Sequence, residues 1–399
     1  MMTLLLDVNF KHLKLNKNMN TIIREIKFQI THLPQTISEH FYSCFPFFAL
    51  NYRTRKFINK HFDSKNHNGK IFRLDVEDNL KTFLTPDELN NTEKIKALTF
   101  DIVKCYVLNG ITPDEYFLHS FNKKDLTYKY GILSRKRKDD LCCKYLGRDT
   151  RKCFMQLKDK WQFYNLAKPF FKRDVCRVEN DSDLNSIQKF CAKHSRFIAK
   201  PRLASSGIGV HIVDLQKEPM TAKSLLEHYQ KLEDGKWMFE EFIEQAPEMA
   251  AWHPSSVNTI RIPSIRTKKG CTVILPLFRT GKNGNLVDNC HNDGGLMAVP
   301  DAKTGVLLTD GYDVYTNVVE THPNSGMRFK GWQVPRWDEL IATASELHQS
   351  LPIKHKYVGF DFALTKDGWA VVEGNWGNFP HQVCVGYGIR EEFEKLMKS

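Results

Sequence analysis

No apolar run in this sequence reaches the roughly 18 residues that a membrane-spanning helix needs, so a helical span is not expected. The start, MMTLLLDVNF, lacks a basic region followed by a long apolar core and a small-residue cleavage site, which argues against secretion. Ten cysteines include the vicinal Cys142 and Cys143 but no Cys-x-x-Cys pair, so neither a zinc ribbon nor a redox dithiol is expected. Reduced thiols in a cytosolic protein fit that usage. Internal repeats and low-complexity linkers are also missing. Acidic residues are the scarcer charge, 46 against 58 basic ones, leaving a formal net charge of +12.

What is present is an ordinary globular composition, 41% hydrophobic and 26% charged, with 27 Phe, 13 Tyr and 7 Trp to fill cores. At 399 residues the chain exceeds the size of a single core, so two or three lobes with clefts between them are expected. The basic surplus favours phosphate-bearing partners without choosing among nucleotides, nucleic acid and an anionic membrane. Part of it lies early, at Lys11, Lys14, Lys17, Arg24, Lys27, Arg53, Arg55 and Lys56, and part at Arg135, Lys136, Arg137 and Lys138. Solvated helix faces are the plainer explanation of such runs. Phe45 to Leu50, beside Arg53, reads as buried core or as a segment resting on a membrane surface.

Residues 1–150 read as a mainly helical region, with amphipathic stretches at Met19 to Leu33, Asn91 to Leu108 and Lys138 to Leu146. Helix continues through LKDKWQFYNLA, and short β-rich runs begin after about residue 195. Strands FIAK and VHIVDL, helix TAKSLLEHYQKL and strand WMFEEFI form a small mixed lobe over 151–250. A second lobe over 251–399 has an antiparallel sheet from VNTIRIPSIRT, TVILPLFRTG, GLMAVPD, GVLLTD, YVGFDFAL and GWAVVEGN, with helix RWDELIATASELHQSL. The fold class is therefore α+β.

The strongest local signal is the last strand pair. With Lys366, Asp367 and Gly368 as a three-residue turn, Thr365 pairs with Trp369, Phe362 with Val372 and Asp361 with Glu373. Asp361, Glu373 and Asn375 then share one face, where opposed carboxylates repel unless a cation sits between them. A divalent metal resolves the conflict, and an all-oxygen set suits magnesium. The alternative is a pair of solvated edge carboxylates.

In FIAKPRLASSGIGVHIVDL, Lys200 ends a strand, and Ser205, Ser206, Gly207 and Gly209 form a loop whose backbone N–H groups can line a phosphate. No helix follows, so the loop reads as a flap between strands rather than a Walker or Rossmann turn, and a plain hairpin remains the alternative. Phe239 to Ile243 alternates like an edge strand that can offer backbone groups to a flat heterocycle. Arg261 and Arg279, on neighbouring strands, suit a carboxylate or a developing acyl phosphate, or serve as salt-bridge residues. Cys290 and His291 are adjacent on an extended run and point to opposite faces, which argues against a nucleophilic pair.

Taken in order, SSVNTIRI, LVDNCHNDGG, HPNSGMRFKGWQVPRW and VGFDFALTKDGWAVVEGN resemble the ATP-grasp superfamily, and within it the sugar-transfer associated ATP-grasp family, related to α-L-glutamate ligases. The resemblance covers about residues 105–380. It implies ATP held between two α+β lobes, with Lys160 and Lys200 on phosphates under the Ser205 to Gly209 flap. Glu240, Glu241, Phe242 and Ile243 would hold the adenine, and Glu244 or Glu248 the ribose, the one contact without a clear match. Asp361, Glu373 and Asn375 match the magnesium ligands, for two ions, while Arg261 and Arg279 with Lys200 match the catalytic contacts. Asn258, Asp288, Asn289, His291, Gly294 and Gly295 are substrate candidates.

The implied activity is an ADP-forming ligase in which a carboxylate is activated as an acyl phosphate and captured by an amine or a thiol. An amino acid joined to a sugar acid, in surface polysaccharide or glycoconjugate assembly, is the expected chemistry. The implied setting is the cytoplasm, with peripheral contact to membrane-associated machinery and no nucleic acid partner. Two other classes stay open: a kinase acting on a hydroxyl, and a binding protein that has lost catalysis.

Overall fold

The computed structural model describes residues 67–123, 126–204, 207–232, 234–285, 288 and 294–399. The chain divides into two units, Met1–Lys124 and Asp125–Ser399. In the first, the described part is helical: α1 (His67–Phe83), α2 (Pro86–Asn90), α3 (Thr92–Asn109) and α4 (Pro113–Leu118). Local sequence sets the ends. Glu88 and Glu115 reach back to the backbone N–H of Thr85 and Thr112, and proline follows each threonine. Asn91 caps α3, whose buried residues include Ile102 and Val103. The stretches at Met19 to Leu33 and Phe45 to Leu50 lie outside the described residues.

The second unit opens with α5 (Leu126–Gly131), α6 (Arg135–Leu146), α7 (Thr150–Lys158) and α8 (Lys160–Ala167). The small lobe follows as β1 (Val175–Val178), α9 (Leu184–Lys193), β2 (Arg196–Pro201), β3 (His211–Asp214), α10 (Ala222–Gln230) and β4 (Trp237–Glu240). Its sheet runs β1-β4-β2-β3, antiparallel throughout. Ile187 and Phe190 of α9 and Leu225 and Tyr229 of α10 pack on Phe197 and Phe239. Strand β1 falls in a stretch expected to be helical. Four residues between two helices give too little alternation to stand out, and it becomes a strand because β4 offers an edge to pair with.

The large lobe comprises α11 (Pro247–Ala250), β5 (Thr259–Thr267), β6 (Gly270–Val273), β7 (Leu277–Gly281), β8 (Gly295–Ala298), β9 (Gly311–Tyr312), β10 (Val318–Val319), α12 (Trp337–Ser350), β11 (Tyr357–Thr365), β12 (Gly368–Asn375), α13 (Gln382–Val385) and α14 (Arg390–Lys398). Its sheet order is β10-β9-β8-β7-β5-β11-β12, with β6 beside β5. Two expected strands differ. TVILPLFRTG breaks into β6 and β7 at Leu275, whose φ of 44° cannot continue a ladder. Gly305 to Asp310 makes only isolated bridges.

Period-2 alternation gives this sheet two different faces. Ile260, Ile262, Phe278, Val358, Phe360, Phe362 and Leu364 point to one side, against Phe163 of α8 and Leu340 and Leu347 of α12. Each buried phenylalanine there contributes about 1.5–3 kcal/mol. The residues between them, Arg261, Arg279 and Asp361, take the other face.

Candidate functional site

The β11–β12 hairpin closes with a two-residue turn, Lys366 and Asp367, pairing Thr365 with Gly368. This corrects the expected three-residue loop. Gly368, the first residue after the turn, takes a φ of 100°, which glycine adopts without strain. Phe362 consequently faces Val371, and a β-bulge then interrupts the ladder between Asp361 and Phe362. The bulge decides the site. Trp369 and Val371 lie in the apolar core, and strict alternation would send Glu373 to that same side. One extra residue, Val372, turns Glu373 outward opposite Asp361, with Asn375 opposite Gly359.

The conflict between the two carboxylates is met inside the protein, which corrects the argument that a metal is required to relieve it. Arg261 of β5 binds Asp361 in a two-pronged pair, Nε to Oδ1 at 2.8 Å and Nη2 to Oδ2 at 2.7 Å. Arg279 of β7 adds Nη2 at 3.0 Å. Burial by itself would raise the Asp361 carboxyl, but Arg261 and then Arg279 outweigh it and hold the group well below the usual carboxylate range. Glu373 goes the other way. Desolvation, then the charge of Asp361 and a hydrogen bond with it, push its carboxyl up. The opposite shifts belong to the two acids as a coupled pair, with Asp361 the more acidic member.

The donor set suits a hard cation. Asn375 directs Nδ2 toward Glu373 Oε1 at 3.4 Å, while its buried Oδ1 has no donor among the described residues. Glu373 and Asn375 line the cleft with the Asp361 carboxylate behind them, and this all-oxygen donor set, with one buried amide oxygen lacking a donor, suits magnesium.

These residues line a cleft of about 980 Å³ that also receives Lys160, Lys200, Gly207, Glu241, Phe242, Ile243 and Asp288. Lys160 opens α8. Asp159 caps that helix through the N–H groups of Trp161 and Gln162 and binds Arg202 at the end of β2, at 3.0 and 2.6 Å. The helix bearing Lys160 is therefore clamped to the strand bearing Lys200. The Lys160 ammonium contacts the Ala204 carbonyl in the flap, and burial lowers its pKa against the opposing pull of Glu373.

Glu240, expected beside a base, is buried, with its carboxylate held by Lys200 and Arg173. Burial would raise this carboxyl too, but Arg173 and Lys200 keep it low. Beyond it the chain leaves β4, although Glu241 stays tied to Asp174, donating its N–H to the Asp174 carbonyl at 3.0 Å and accepting from the Asp174 N–H at 2.9 Å through its carboxylate; the Arg196 guanidinium lies 5.0 Å from the Phe242 ring. Gly207 and Gly209 have φ of 74° and 76° in a turn. Ser205, Ser206, Asn289 and His291 lie outside the described residues.

Asp288 approaches Arg279 at 3.6 Å and accepts from Thr259; burial raises its carboxyl, with Arg279 opposing. Asn258 does not reach the cleft. It is fully buried, its Nδ2 donating to Met249 O and His253 O and its Oδ1 accepting from Thr280. Glu244 and Glu248 are exposed and outside the cleft lining. Gly294 accepts from the Asn285 side chain, and Gly295 begins β8.

Sequence reasoning missed Arg173, Thr259, Asp159 and Arg202. Of these only Asp159 carried a local signal, an N-cap residue before a helix. The others gain their roles from partners between about 20 and 200 positions away.

A family model described as sugar-transfer associated ATP-grasp matches residues 145–398. No curated protein matches the chain. Among solved structures, it is similar to D-alanyl-alanine synthetase A from Vibrio cholerae (TM-score 0.36, 11% identity, covering 61% of this chain and 65% of that one). It is similar also to the D-alanine-D-alanine ligase of Helicobacter pylori (TM-score 0.36, 15% identity, 61% of each chain). A third similarity is to an L-amino acid ligase from Bacillus licheniformis (TM-score 0.32, 13% identity, 55% of this chain and 40% of that one). The chain spans less than two thirds of the length of each.

Proposed function

The chain belongs to the sugar-transfer associated ATP-grasp family and has the ATP-grasp fold, and from that premise we propose that it is an ATP-dependent ligase joining a carboxylate to an amine. One observation carries this reading: two lysines, two arginines and the Asp361, Glu373 and Asn375 oxygens converge on a single cleft. Cations and hard oxygen donors facing one another across about 980 Å³ match a magnesium-bound triphosphate.

Lys160 and Lys200 then serve as point charges for phosphate oxygens, and the backbone at Phe242 and Ile243, which lines the cleft beyond β4, offers hydrogen bonds to the base. Asp361, Glu373 and Asn375 would hold magnesium, which when bound supplies neutralisation of the β- and γ-phosphate oxygens. The substrate carboxylate attacks the γ-phosphorus, the β–γ bridging oxygen leaves with ADP, and an acyl phosphate forms. The amine attacks the acyl carbon, gives up a proton, and phosphate departs. Arg261, with Nη1 beyond its pair with Asp361, and Arg279 stabilise the tetrahedral oxyanion. Among the described residues, no cleft side chain needs to act as a nucleophile.

The substrates in this proposal are an amino acid and a sugar acid, within surface polysaccharide or glycoconjugate assembly; the family description supports the sugar half. The proposed setting is the cytoplasmic face of a membrane. No helix among the described residues is long and apolar enough to cross one, and the net charge of +12 supports contact with an anionic surface.

Purified protein incubated with ATP, magnesium and pooled sugar acids, with and without amino acids, tests the reading. Amine-dependent ADP release with an amide product is expected. A phosphorylated product formed without amine would replace the ligase by a kinase, and no turnover of any pool would leave a binding protein.

A further inference from the structure

Arg173 belongs to neither lobe's sheet. It sits in the linker between α8 and β1, yet its side chain is only 3% exposed and touches both lobes. On the small-lobe side, Nε and Nη2 donate to Glu240 Oε2 at 3.0 and 2.8 Å, while Lys200 holds the other oxygen of that carboxylate. On the large-lobe side, Nη1 donates to the Val371 carbonyl at 2.7 Å and to the Phe171 carbonyl at 3.0 Å. Val371 is the last residue of β12 before the bulge, and Glu373 is the first residue paired after it.

Two consequences follow from charge and geometry. β12 is the edge strand of its sheet, so its outward carbonyls lie outside the ladder, and the buried one at Val371, beside the bulge, takes its donor from Arg173. One carboxylate shared by two cations leaves the Lys200–Glu240–Arg173 trio with a net positive charge. Without Arg173, Glu240 would neutralise Lys200 completely.

We propose that Arg173 is a positioning residue that sets Lys200 and Glu373 as one unit. It steadies the bulge that turns Glu373 into the cleft, and by sharing Glu240 it keeps positive charge available at Lys200 for phosphate. The inference rests on the nucleotide reading above. Magnesium at Glu373 and phosphate at Lys200 then bind cooperatively, because one guanidinium holds both supports.

The test is calorimetric binding of ATP, with magnesium and with EDTA, and of adenosine, to wild type, Arg173→Met, Arg173→Lys, Glu373→Gln and the double variant Arg173→Met/Glu373→Gln. Arg173→Met is expected to weaken magnesium-ATP binding about tenfold or more with adenosine affinity unchanged, and Arg173→Lys to recover part of it. In the Glu373→Gln background, adding Arg173→Met should cost less than it does in the wild type, the remainder being its effect through Lys200.

Wild-type-like magnesium-ATP binding by a folded Arg173→Met protein overturns the role of Arg173 while leaving the nucleotide reading intact. So do equal losses for ATP and adenosine, or independent effects in the double variant. Failure of the wild type to bind magnesium-ATP overturns the nucleotide reading, and this inference with it. Should Arg173→Met not fold by circular dichroism, Arg173→Lys is read against the same outcomes.

Discussion

Asp361 and Glu373 are the same functional group on paired positions, yet their surroundings drive them apart. Asp361 lies 1% exposed between two guanidinium groups and is held as the anion. Glu373 leans into the cleft, 3.9 Å from Arg261, and keeps its proton more readily. That difference gives them unequal shares in the proposed metal set: Asp361 also orders the arginines, and Glu373 is the carboxylate more open to a cation. Glu373→Gln is therefore expected to lower ATP turnover on the order of a hundredfold, because one charged ligand is lost. The circular dichroism spectrum should stay unchanged, since the arginine pairing of Asp361 survives. Unaltered ADP release from this variant would remove Glu373 from the metal set.

The β11–β12 hairpin shows how an element, rather than a residue, builds the site. Its turn fixes one register and its bulge a second, and the chemistry needs the second. Gly374 lies directly after the bulged segment, and a Cβ there would come within 2.5 Å of the Phe163 ring. Phe163 is 1% exposed and packed among Phe171 and Phe360, so it has little room to yield. Gly374→Ala is expected to cost about 1–3 kcal/mol by overpacking. It should also weaken magnesium-ATP binding by displacing Glu373 and Asn375 on either side. Chemical denaturation and calorimetry measure the two effects, and a variant as stable as wild type would show that this contact is slack.

At the scale of the molecule, neutral histidines stitch the large lobe together. His348 of α12 donates Nε2 to the His355 carbonyl and accepts from Ser264 of β5, and His381 donates to the Leu275 carbonyl. Burial pushes His348, His355 and His381 down to about 4 from an ordinary value of 6.5. The unfolded chain binds protons first, so this part of the stability is whole above about pH 6.5 and drains away as pH falls toward about 4. Each histidine contributes up to about 1.4 kcal/mol per pH unit inside that window. Urea midpoints at pH 7 and pH 5 should show the loss, and His348→Gln should flatten it. A pH-independent midpoint would contradict the neutral assignment.

A ligand gripping both lobes acts at the same scale. Magnesium-ATP at about a hundred times its dissociation constant should add about 2.7 kcal/mol of stability, read as a higher melting temperature, with a smaller shift in EDTA. No shift with either would speak against a nucleotide in the cleft.

By itself, the sequence determined what is local. The helix caps at Thr85, Asn91 and Asp159, the alternation that sends Phe360 and Phe362 inward and Asp361 outward, and the choice of oxygen donors all follow from neighbours a few positions away. The order of blocks from SSVNTIRI to VVEGN carried the family. Tertiary structure alone decided what depends on distant partners. It paired β1 with β4, placed Val372 in a bulge, drew Arg261 and Arg279 onto Asp361, buried Glu240 between Lys200 and Arg173, and withdrew Asn258 from the cleft. The reason is that a buried charge or an unpaired carbonyl must find its partner wherever the fold brings one, and spacing along the chain does not record where that is.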